Sequence, residues 1–210
     1  MILLTGFEPF GDRGFNPSFA IAQQAAAILV EQGIEAKAAQ LPCVFATAPA
    51  QLDALLERYS PSVVIGLGLA AGRATMALEK VAINHIDARI VDNSGAQPID
   101  VPVCQDGPNA YFSTLPLKAA VQVLRESGDE RAAIDVNISY TAGSFVCNQM
   151  FYWLMHRLES TPGVRGGFIH VPWMDETDQG LGQMAQAVAT VGLLASSDVA
   201  EPLISAGTEY

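Results

Sequence analysis

The sequence predicts a three-layer α/β domain with a mostly parallel sheet, and three observations indicate that fold class. Segments typical of strands alternate with segments typical of helices along the chain. The run "SVVIGLGL" (62–69) is continuously apolar and ends in glycines, as in strands covered by helices on both faces. Half of the 210 residues are hydrophobic, which is enough for one large core. We therefore expect a single domain over residues 1–210, with a loosely ordered tail from about 198 to 210.

The first half of the chain contains three strand-like segments with two helix-like segments between them. The Ala-rich segment 19–33 has high helix propensity and ends at Gly33, a typical helix stop. The second helical segment begins at Thr47, a residue type that caps helix amino termini. In chain order we predict a strand at 2–7, a helix at 19–33, a strand at 35–42, a helix at 47–60 and a strand at 62–69.

The second half of the chain continues this alternation. A β-type stretch follows soon after the glycines of the third strand. The next helical segment has a serine or threonine at its start and Gly128 at its end. We predict β structure at 75–84, a helix at 113–128, a strand at 135–140, a helix at 145–159, a strand at 166–172 and a helix from about 177 to 197.

Charge and apolar pattern exclude several functional classes. The formal net charge is −11 and no basic cluster offsets it, so the chain repels nucleic-acid phosphates and anionic membranes. No stretch of about 18 residues lacks polar interruption, so we predict no transmembrane helix. The amino terminus has no basic region and no long apolar core, and we interpret it as a strand rather than a signal peptide.

Three cysteines, Cys43, Cys104 and Cys147, are widely spaced and form no CxxC motif. An odd number of scattered cysteines is typical of free thiols in a reducing compartment, so we expect a cytoplasmic protein. No spacing of histidine, cysteine and carboxylate residues resembles a metal site. We therefore expect neither a metal nor another cofactor.

Cys147 is the first candidate for chemistry. It follows a predicted strand and the small turn residues Ala142, Gly143 and Ser144, so it falls at or near a helix amino terminus. The free N–H groups and the positive dipole end there lower the pKa of a thiol and could bind the oxyanion of acyl transfer. Free cysteines are also among the most buried and inert residue types, so a structural thiol is the alternative.

A cysteine nucleophile needs a base, and the chain has three histidines. His170 lies at the end of the predicted strand 166–172, and open α/β sheets build their sites at the carboxyl ends of strands. Cys147 also follows a strand end, so the two side chains can meet if those strands are parallel neighbours. A buried structural histidine is the alternative. We interpret His85 as a turn residue and His156 as an exposed helix residue.

Glu79 is the candidate for the third residue, which would orient the histidine ring. Along the β-type stretch "MALEKVAIN" it shares strand parity with Ala77, Val81 and Ile83, so it falls on an apolar face. A buried carboxylate needs a partner, and a histidine ring N–H would serve. The alternative is a solvated carboxylate on an edge strand.

Two other patterns are weaker. The segment "GLGLAAG" (66–72) resembles a phosphate loop, but it is neither the dinucleotide fingerprint nor a P-loop with its Lys-Ser/Thr. Phe7, Phe10 and Phe15 crowd a Gly/Pro loop after the first strand. They could be core residues or the aromatic wall of a small-ligand pocket.

Four blocks of the sequence, taken together, are specific to one family. They are "LLTGFEPFGDRGFNPS", "GLGLAAGRATMALEKVAINHIDARIVDNSGAQPID", "SYTAGSFVCNQMFY" and "RGGFIHVPW", with "DGPNAYFSTLP" as a further match. They span residues 1 to about 173 and resemble pyroglutamyl peptidase I, a family of cysteine exopeptidases that remove amino-terminal pyroglutamate. The resemblance implies a peptide substrate with that terminus and a homotetrameric assembly.

The resemblance also implies a role for each residue at a matching position. Cys147 would be the nucleophile, His170 the general base and acid, and Glu79 the residue that orients His170 and balances its charge. Arg89 would stabilise the oxyanion together with the Cys147 N–H. The implied pocket for the pyroglutamyl ring consists of Phe10, Asn16, Leu69, Phe145 and Val146.

The chain departs from the family pattern at several positions. Leu69 stands where glutamine is common and is associated with the substrate pocket, and Ala71 stands where glycine is common. Val91 replaces the usual proline, and "ALEK" replaces the usual "PER". Glu79, which lies within "ALEK", is itself retained, so the implied triad is intact, but Leu69 removes an amide from the implied pocket.

Three functional hypotheses follow. The first is a cysteine peptidase that removes amino-terminal pyroglutamate. The second is an amidase or hydrolase that uses the same Cys-His-Glu set on another small lactam or amide, as Leu69 suggests. The third is a binding protein that holds a nucleotide or small ligand at 66–72.

Overall fold

The computed structural model describes residues 1–126 and 135–207, and it has the predicted α/β architecture: a mostly parallel central sheet flanked by helices. The described strands are β1 (Ile2–Phe7), β2 (Ala36–Leu41), β3 (Val63–Leu69), β4 (Met76–Glu79), β5 (Val81–Ile83), β6 (Ala110–Phe112), β7 (Val136–Ser139) and β8 (Arg165–Val171). The described helices are α1 (Pro17–Glu31), α2 (Ala48–Tyr59), α3 (Leu117–Glu126), α4 (Val146–Glu159) and α5 (Gly180–Ala195).

The central sheet has six strands in the order β2-β1-β3-β8-β4-β7. Its neighbouring strands are parallel except for β4 and β8, which are antiparallel. In this register Gly68 pairs with His170 across β3 and β8, while Ala77 pairs with His170 and Glu79 with Phe168 across β4 and β8. Strand β8 therefore joins the two parts of the sheet.

Two layers of helices cover the sheet. One hydrophobic cluster joins α1, α3 and α5 to side chains such as Ile65 and Ile169. The other joins α2 and α4 to side chains of opposite strand parity, including Val64 and Phe168. Because side chains alternate between faces along a strand, β3 and β8 contribute side chains to both hydrophobic clusters. Both strands are almost fully buried.

The predicted β stretch at 75–84 divides into two strands at Lys80. The Lys80 N–H donates to the Ser139 carbonyl of β7, whereas its own carbonyl accepts from Ser113. The chain therefore leaves the central sheet at this point, and β5 pairs with β6 in a separate two-stranded antiparallel sheet. Strand β6 is absent from the sequence-based prediction.

The helices differ from their predicted bounds by a few residues: α1 spans Pro17–Glu31 rather than 19–33, and α5 spans Gly180–Ala195 rather than about 177–197. The largest difference is at the start of α3. Helix α3 begins at Leu117 rather than Ser113, because the side chains of Ser113 and Thr114 bind the backbone of Gly166. Its predicted stop at Gly128 lies outside the described residues. Thr47 precedes α2 as predicted but makes no side-chain capping bond, since its backbone is already in the helical region.

The segment from 198 to 207 has neither helix nor strand, but it contacts the domain. The Glu201 carboxylate accepts hydrogen bonds from the Lys118 and Ala119 N–H groups at the start of α3. Ala206 packs against the core. The rest of the predicted tail, 208–210, lies outside the described residues. Among the helices of the described segments, none combines the length and apolarity that a membrane crossing requires.

Candidate active site

His170 and Glu79 are joined across the antiparallel pair of strands β8 and β4. His170 Nδ1 lies 2.7 Å from Glu79 Oε1, and both side chains are buried. Glu79 pairs directly with Phe168, so the imidazole and the carboxylate are diagonal neighbours on one face of the sheet. Since an ionised carboxylate can only accept, the ring donates from Nδ1 and its Nε2 is left as an acceptor.

Arg73 is a member of this cluster that sequence reasoning missed. Its Nη1 lies 2.7 Å from the same Glu79 oxygen, and its Nη2 donates to the Thr141 carbonyl at 2.9 Å. The guanidinium compensates for burying a fully enclosed carboxylate. The other oxygen, Glu79 Oε2, is buried and has no hydrogen-bond partner among the described residues. A buried carboxylate predicts a cationic partner, which is the signal that could have identified Arg73.

Cys147 is the second residue of α4, as its sequence context predicts. The preceding turn uses Gly143 in the left-handed region, with φ of +80°, and Phe145 in extended conformation. A Cβ built on Gly68 would lie only 2.7 Å from Cys147 Sγ, so the thiol rests against the backbone of β3. Because Gly68 pairs with His170, the thiol and the imidazole occupy adjacent positions on this face. In the described structure no hydrogen bond joins them directly.

Burial raises the pKa of the Cys147 thiol, and the neighbouring Cys43 and Glu79 add to the rise. The backbone N–H of Cys147 itself and the Arg73 guanidinium act in the opposite direction but are outweighed. The prediction that the pKa of this thiol is lowered is therefore wrong, because burial outweighs the lowering effect of the backbone N–H. A raised pKa favours the protonated thiol, so a nucleophilic role for Cys147 would require a base to remove that proton.

An aromatic cluster lies directly before Cys147. The Phe145 ring is 5.3 Å from the Phe10 ring and 5.0 Å from the Phe45 ring, measured between centroids. Sequence reasoning missed Phe45. The Phe45 backbone is held at both ends, because its N–H donates to Asp92 at 2.8 Å and its carbonyl accepts from Gln149 at 3.0 Å. Two buried polar side chains therefore fix one wall of this cluster.

The remaining predicted site residues occupy different surroundings. Leu69 is the last residue of β3 and is half-buried, whereas Val146 is fully buried at the start of α4. Asn16 caps α1, accepting from Ser18 and donating to the Glu8 carbonyl. Arg89 is exposed and makes no ion pair or hydrogen bond among the described residues.

Arg89 follows a loop that is tied to the turn before Cys147. The Asp87 N–H donates to the Ser144 carbonyl, and the Ser144 hydroxyl donates to the Asp87 carbonyl. Asn148 holds the preceding residues through the backbone of Ile83 and His85. The two segments therefore lie side by side, and Arg89 follows two residues after Asp87 in the chain.

The other two histidines lie outside this cluster. His85 lies in the turn after β5, as predicted. The interpretation of His156 as an exposed helix residue is wrong: it is half-buried and contacts Cys104, Tyr111, Tyr152 and Trp153. Its charged neighbours in the sequence suggested exposure, but the helical repeat places it on the same face as buried Tyr152.

The arrangement of Cys147, His170 and Glu79 suits acyl transfer. It combines a thiol at a helix amino terminus, an imidazole with a free Nε2 and a carboxylate that fixes the ring. Among residues 1–126 and 135–207, no group of three histidine, cysteine or acidic side chains is arranged to hold a metal ion.

Comparison with known proteins gives consistent matches over nearly the whole chain. A family model described as pyroglutamyl peptidase matches residues 1–200. The chain is 47% identical over 191 residues to a pyrrolidone-carboxylate peptidase from Klebsiella pneumoniae (strain 342), covering 90% of this chain and 86% of the relative. It is also 47% identical over 191 residues to one from Pseudomonas fluorescens (strain SBW25), covering 91% and 87%.

Solved structures agree with these sequence matches. Pyroglutamyl peptidase I from Bacillus amyloliquefaciens aligns with a TM-score of 0.84 and 36% identity, covering 98% of each chain. A mutant pyrrolidone carboxyl peptidase from Pyrococcus furiosus aligns with a TM-score of 0.86 and 34% identity, covering 95% of this chain and 99% of the other.

Proposed function

The chain belongs to the pyroglutamyl peptidase family, and we propose on that basis that it is a cysteine exopeptidase that hydrolyses the amide bond after an amino-terminal pyroglutamyl residue. The observation that supports this most directly is the buried hydrogen bond between His170 and Glu79 beside the Cys147 thiol. A carboxylate in this position would hold the ring with Nε2 facing the thiol, which is what a thiol nucleophile requires of its base.

The proposed reaction begins when Cys147 Sγ attacks the pyroglutamyl carbonyl carbon and His170 Nε2 takes the thiol proton. A carbon–sulfur bond forms, and the carbonyl oxygen becomes an oxyanion. The intermediate then collapses to a thioester, and His170 gives its proton to the departing amine of the shortened peptide. Water, deprotonated by His170, hydrolyses the thioester and restores the thiol. Throughout, Glu79 would balance the positive charge of the imidazolium.

The oxyanion would be stabilised at the start of α4. The Cys147 N–H belongs to the first turn, where N–H groups have no partner within the helix. We assign Arg89 as the second donor, as the family resemblance implies. Arg89 is exposed and has no hydrogen bond or ion pair among the described residues, so its guanidinium would be free to contact an oxyanion.

The pocket is proposed to recognise a neutral lactam. Pyroglutamate has no ammonium group, so a carboxylate in the pocket would have no charge to bind. Apolar side chains suit the neutral ring better. Phe10, Phe145 and Val146 would supply that wall, with Phe45 supporting Phe145 from behind. Asn16 and Leu69 are the remaining residues that we assign to this pocket. Chains with a charged amino terminus would be rejected because their ammonium would be buried without a partner.

The decisive experiment measures turnover of a chromogenic pyroglutamyl amide by the wild type and by Cys147→Ala. We expect the variant to lose essentially all activity, while Cys43→Ala, which removes a different thiol, stays active. Equal turnover by wild type and Cys147→Ala would refute the assignment.

The thioester is tested separately: denaturing the enzyme during turnover should trap a pyroglutamyl adduct on Cys147, detectable by peptide mass spectrometry.

A second candidate, an amidase acting on another small lactam or amide, is favoured by one observation. Leu69 offers no amide at the end of β3, where the family commonly has glutamine. A panel of pyroglutamyl, prolyl and other small cyclic amides separates the two candidates. Negligible cleavage of the pyroglutamyl compound beside clear turnover of another would favour the second.

Cytoplasmic location and a homotetrameric assembly are also proposed. Cys43, Cys104 and Cys147 are all free thiols, which suits a reducing compartment. Ile90, Val91, Ile99 and Val101 are exposed apolar side chains on one loop region, which suits a contact between subunits. Light scattering on the purified protein tests the assembly, and cell fractionation tests the location.

A further inference from the structure

A second cysteine–histidine pair lies outside the candidate active site, near the last turns of α4. Cys104 Sγ is 3.7 Å from His156 Nε2. His156 Nδ1 is 2.8 Å from the Tyr111 hydroxyl, and that hydroxyl is 2.7 Å from a Glu159 carboxylate oxygen. These four side chains, which we call the Cys104 relay, form one continuous line of polar contacts from a thiol to a carboxylate.

The relay determines which ring nitrogen of His156 carries the proton. An ionised Glu159 carboxylate can only accept, so the Tyr111 hydroxyl must donate its single proton to it. The hydroxyl oxygen can then only accept from His156, so Nδ1 bears the hydrogen. Nε2 is left unprotonated in the neutral ring and faces the Cys104 thiol. This is the tautomer that a base for a thiol needs.

The hydroxyl of Tyr111 is secured in its donor role. Burial, followed by the hydrogen bond to Glu159 and the charge of that carboxylate, raises the pKa of Tyr111. The group therefore keeps its proton at neutral pH. The hydrogen bond from Tyr111 to Glu159 therefore also fixes which ring nitrogen of His156 carries the hydrogen.

Cys104 and His156 are held in place by their surroundings. The His156 ring stacks on Tyr152 with an interplanar angle of 16°, and it also contacts Trp153. The backbone of Cys104 is bound on both sides by Asn84, whose side chain accepts from the Cys104 N–H and donates to its carbonyl. Cys104 as a residue is only half-buried, unlike the buried Cys43. A reaction at Cys104 requires that its sulfur be within reach of a small molecule.

We propose that Cys104 is a second nucleophilic thiol and a modification site for small uncharged electrophiles, with His156 as the base that receives its proton. With iodoacetamide, a carbon–sulfur bond forms, iodide leaves with the electron pair of the carbon–iodine bond, and His156 Nε2 takes the thiol proton and passes it to water. With hydrogen peroxide as oxidant, sulfur attacks one oxygen, the oxygen–oxygen bond breaks, and the thiol proton joins the departing hydroxide as water. Cys104 is then a sulfenic acid.

The class of electrophile follows from the charges nearby. Glu159 ends the relay, Asp106 lies two residues from Cys104, and the whole chain has a net charge of −11. These charges repel anionic reagents. Neutral reagents are therefore favoured over anionic ones of the same size, such as iodoacetate.

The two other cysteines differ from Cys104 in their surroundings. Cys43 is buried, and burial together with the charges of Glu8 and Asp92 raises its pKa to about 12. It should stay unmodified in the folded protein. Cys147 belongs to the candidate active site, so the full-length Cys147→Ala variant is the appropriate background, in which Cys104 is the accessible thiol.

The experiment measures the rate of iodoacetamide labelling of the Cys104 peptide by mass spectrometry at neutral pH, in the folded and the urea-unfolded Cys147→Ala protein. We expect the folded rate to exceed the unfolded rate by about tenfold or more, as general-base assistance commonly gives at least that factor. Adding His156→Gln to this background should bring the labelling rate of the folded protein down to that of the unfolded protein. Adding Glu159→Gln at the exposed end of the relay should reduce it several-fold, because an amide can donate to Tyr111 and no longer fixes the tautomer.

Glu57→Gln is the matched control, since it removes an exposed carboxylate from another helix. It should leave the labelling rate unchanged. If His156→Gln does not fold, Tyr111→Phe interrupts the relay while keeping the ring. The proposal fails if folded Cys104 reacts no faster than unfolded Cys104, or if Glu159→Gln and Tyr111→Phe leave the rate unaltered. The readout does not depend on peptidase activity, so its result is separate from that of the proposed function.

Discussion

Arg73 and Glu79 form a short ion pair, with 2.7 Å between Nη1 of the arginine and Oε1 of the carboxylate. That oxygen also accepts the His170 ring N–H, so one atom serves two donors. We infer that Arg73 is a positioning residue, which holds the carboxylate rather than touching substrate.

Replacing Arg73 with glutamine should lower kcat while changing KM little. The buried Glu79 carboxylate would lose its cationic partner, at a cost of about 1–3 kcal/mol in the free energy of unfolding. Steady-state kinetics and thermal unfolding test both effects. Arg73→Lys keeps the charge but loses the second contact to Thr141, so it should be intermediate. A rise in KM with unchanged kcat would contradict the positioning role.

Glu79→Gln should reduce kcat by about 10³–10⁴-fold, because an amide can no longer enforce the productive tautomer of His170. The loss should appear with little change in KM, since Glu79 is enclosed and faces the histidine. Kinetics with the chromogenic amide provide the measurement, and Glu57→Gln serves as the surface control. Activity within a few-fold of wild type would mean that Glu79 is only structural.

Gly68→Ala should abolish activity, because the added Cβ would lie 2.7 Å from Cys147 Sγ and displace the thiol. Gly66→Ala is the matched control on the same face of β3: its Cβ would meet the Phe168 ring at 2.6 Å but not the thiol. Both should destabilise the fold by about 1–3 kcal/mol through overpacking. Turnover measured under conditions where both variants are folded distinguishes them, and equal activities would contradict this account of Gly68.

Leu69→Gln should lower KM for the pyroglutamyl amide several-fold, because it restores a polar partner for the lactam at the end of β3. Leu69→Met conserves size without adding a hydrogen-bonding group and should behave like the wild type. Kinetics on the cyclic-amide panel give the comparison. If glutamine and methionine have the same effect, position 69 does not contact the ring.

Asp92→Asn should destabilise the protein in a pH-dependent way. Burial tends to raise the pKa of Asp92, but the hydrogen bonds from Ser94, Phe45 and Ala96 outweigh it and lower the pKa. Its contribution is therefore complete above the unfolded-state pKa of about 4 and disappears as the pH falls through the lower folded value.

At neutral pH we expect Asp92→Asn to cost about 1–3 kcal/mol, as for other buried hydrogen-bonded charges. Urea unfolding from pH 7 to pH 2 should show the variant and the wild type converging at the acid end. The control Asp106→Asn changes an exposed carboxylate and should show no such trend. A constant difference at all pH values would contradict the assignment to a charged group.

The fold class and most element positions were predictable because they depend on local patterns. Alternating apolar segments and glycine stops predicted β1, α1, β3, α4 and β8, and the structure confirms them. The strand break at Lys80 and the pairing of β5 with β6 were not predictable. They depend on contacts with Ser139 and Ser113, which lie far away in the sequence.

In the candidate site, too, some features follow from local sequence patterns and others depend on contacts between distant residues. Glu79 is buried as expected, but the parity argument held only in part, because Val81 and Ile83 belong to β5 in another sheet and all four residues of β4 are buried. The turn pattern correctly placed Cys147 at the start of a helix. The partnership of Glu79 with His170 depends on a register between strands 91 residues apart, which no local pattern encodes. Arg73 and Phe45 lie in loops without periodicity, so no local pattern indicates either residue. The need of a buried carboxylate for a cation indicates that Glu79 has such a partner, and the contact in the structure identifies it as Arg73.

The position of β8 has a consequence for biosynthesis. It lies between β3 and β4 in the sheet, yet it is the last strand of the described chain to be made. Until it emerges, β2-β1-β3 and β4-β7 have no strand to join them, and the thiol and the carboxylate have no imidazole between them. If Cys147, His170 and Glu79 carry the reaction as proposed, a nascent chain would have no pyroglutamyl peptidase activity until this central strand is inserted.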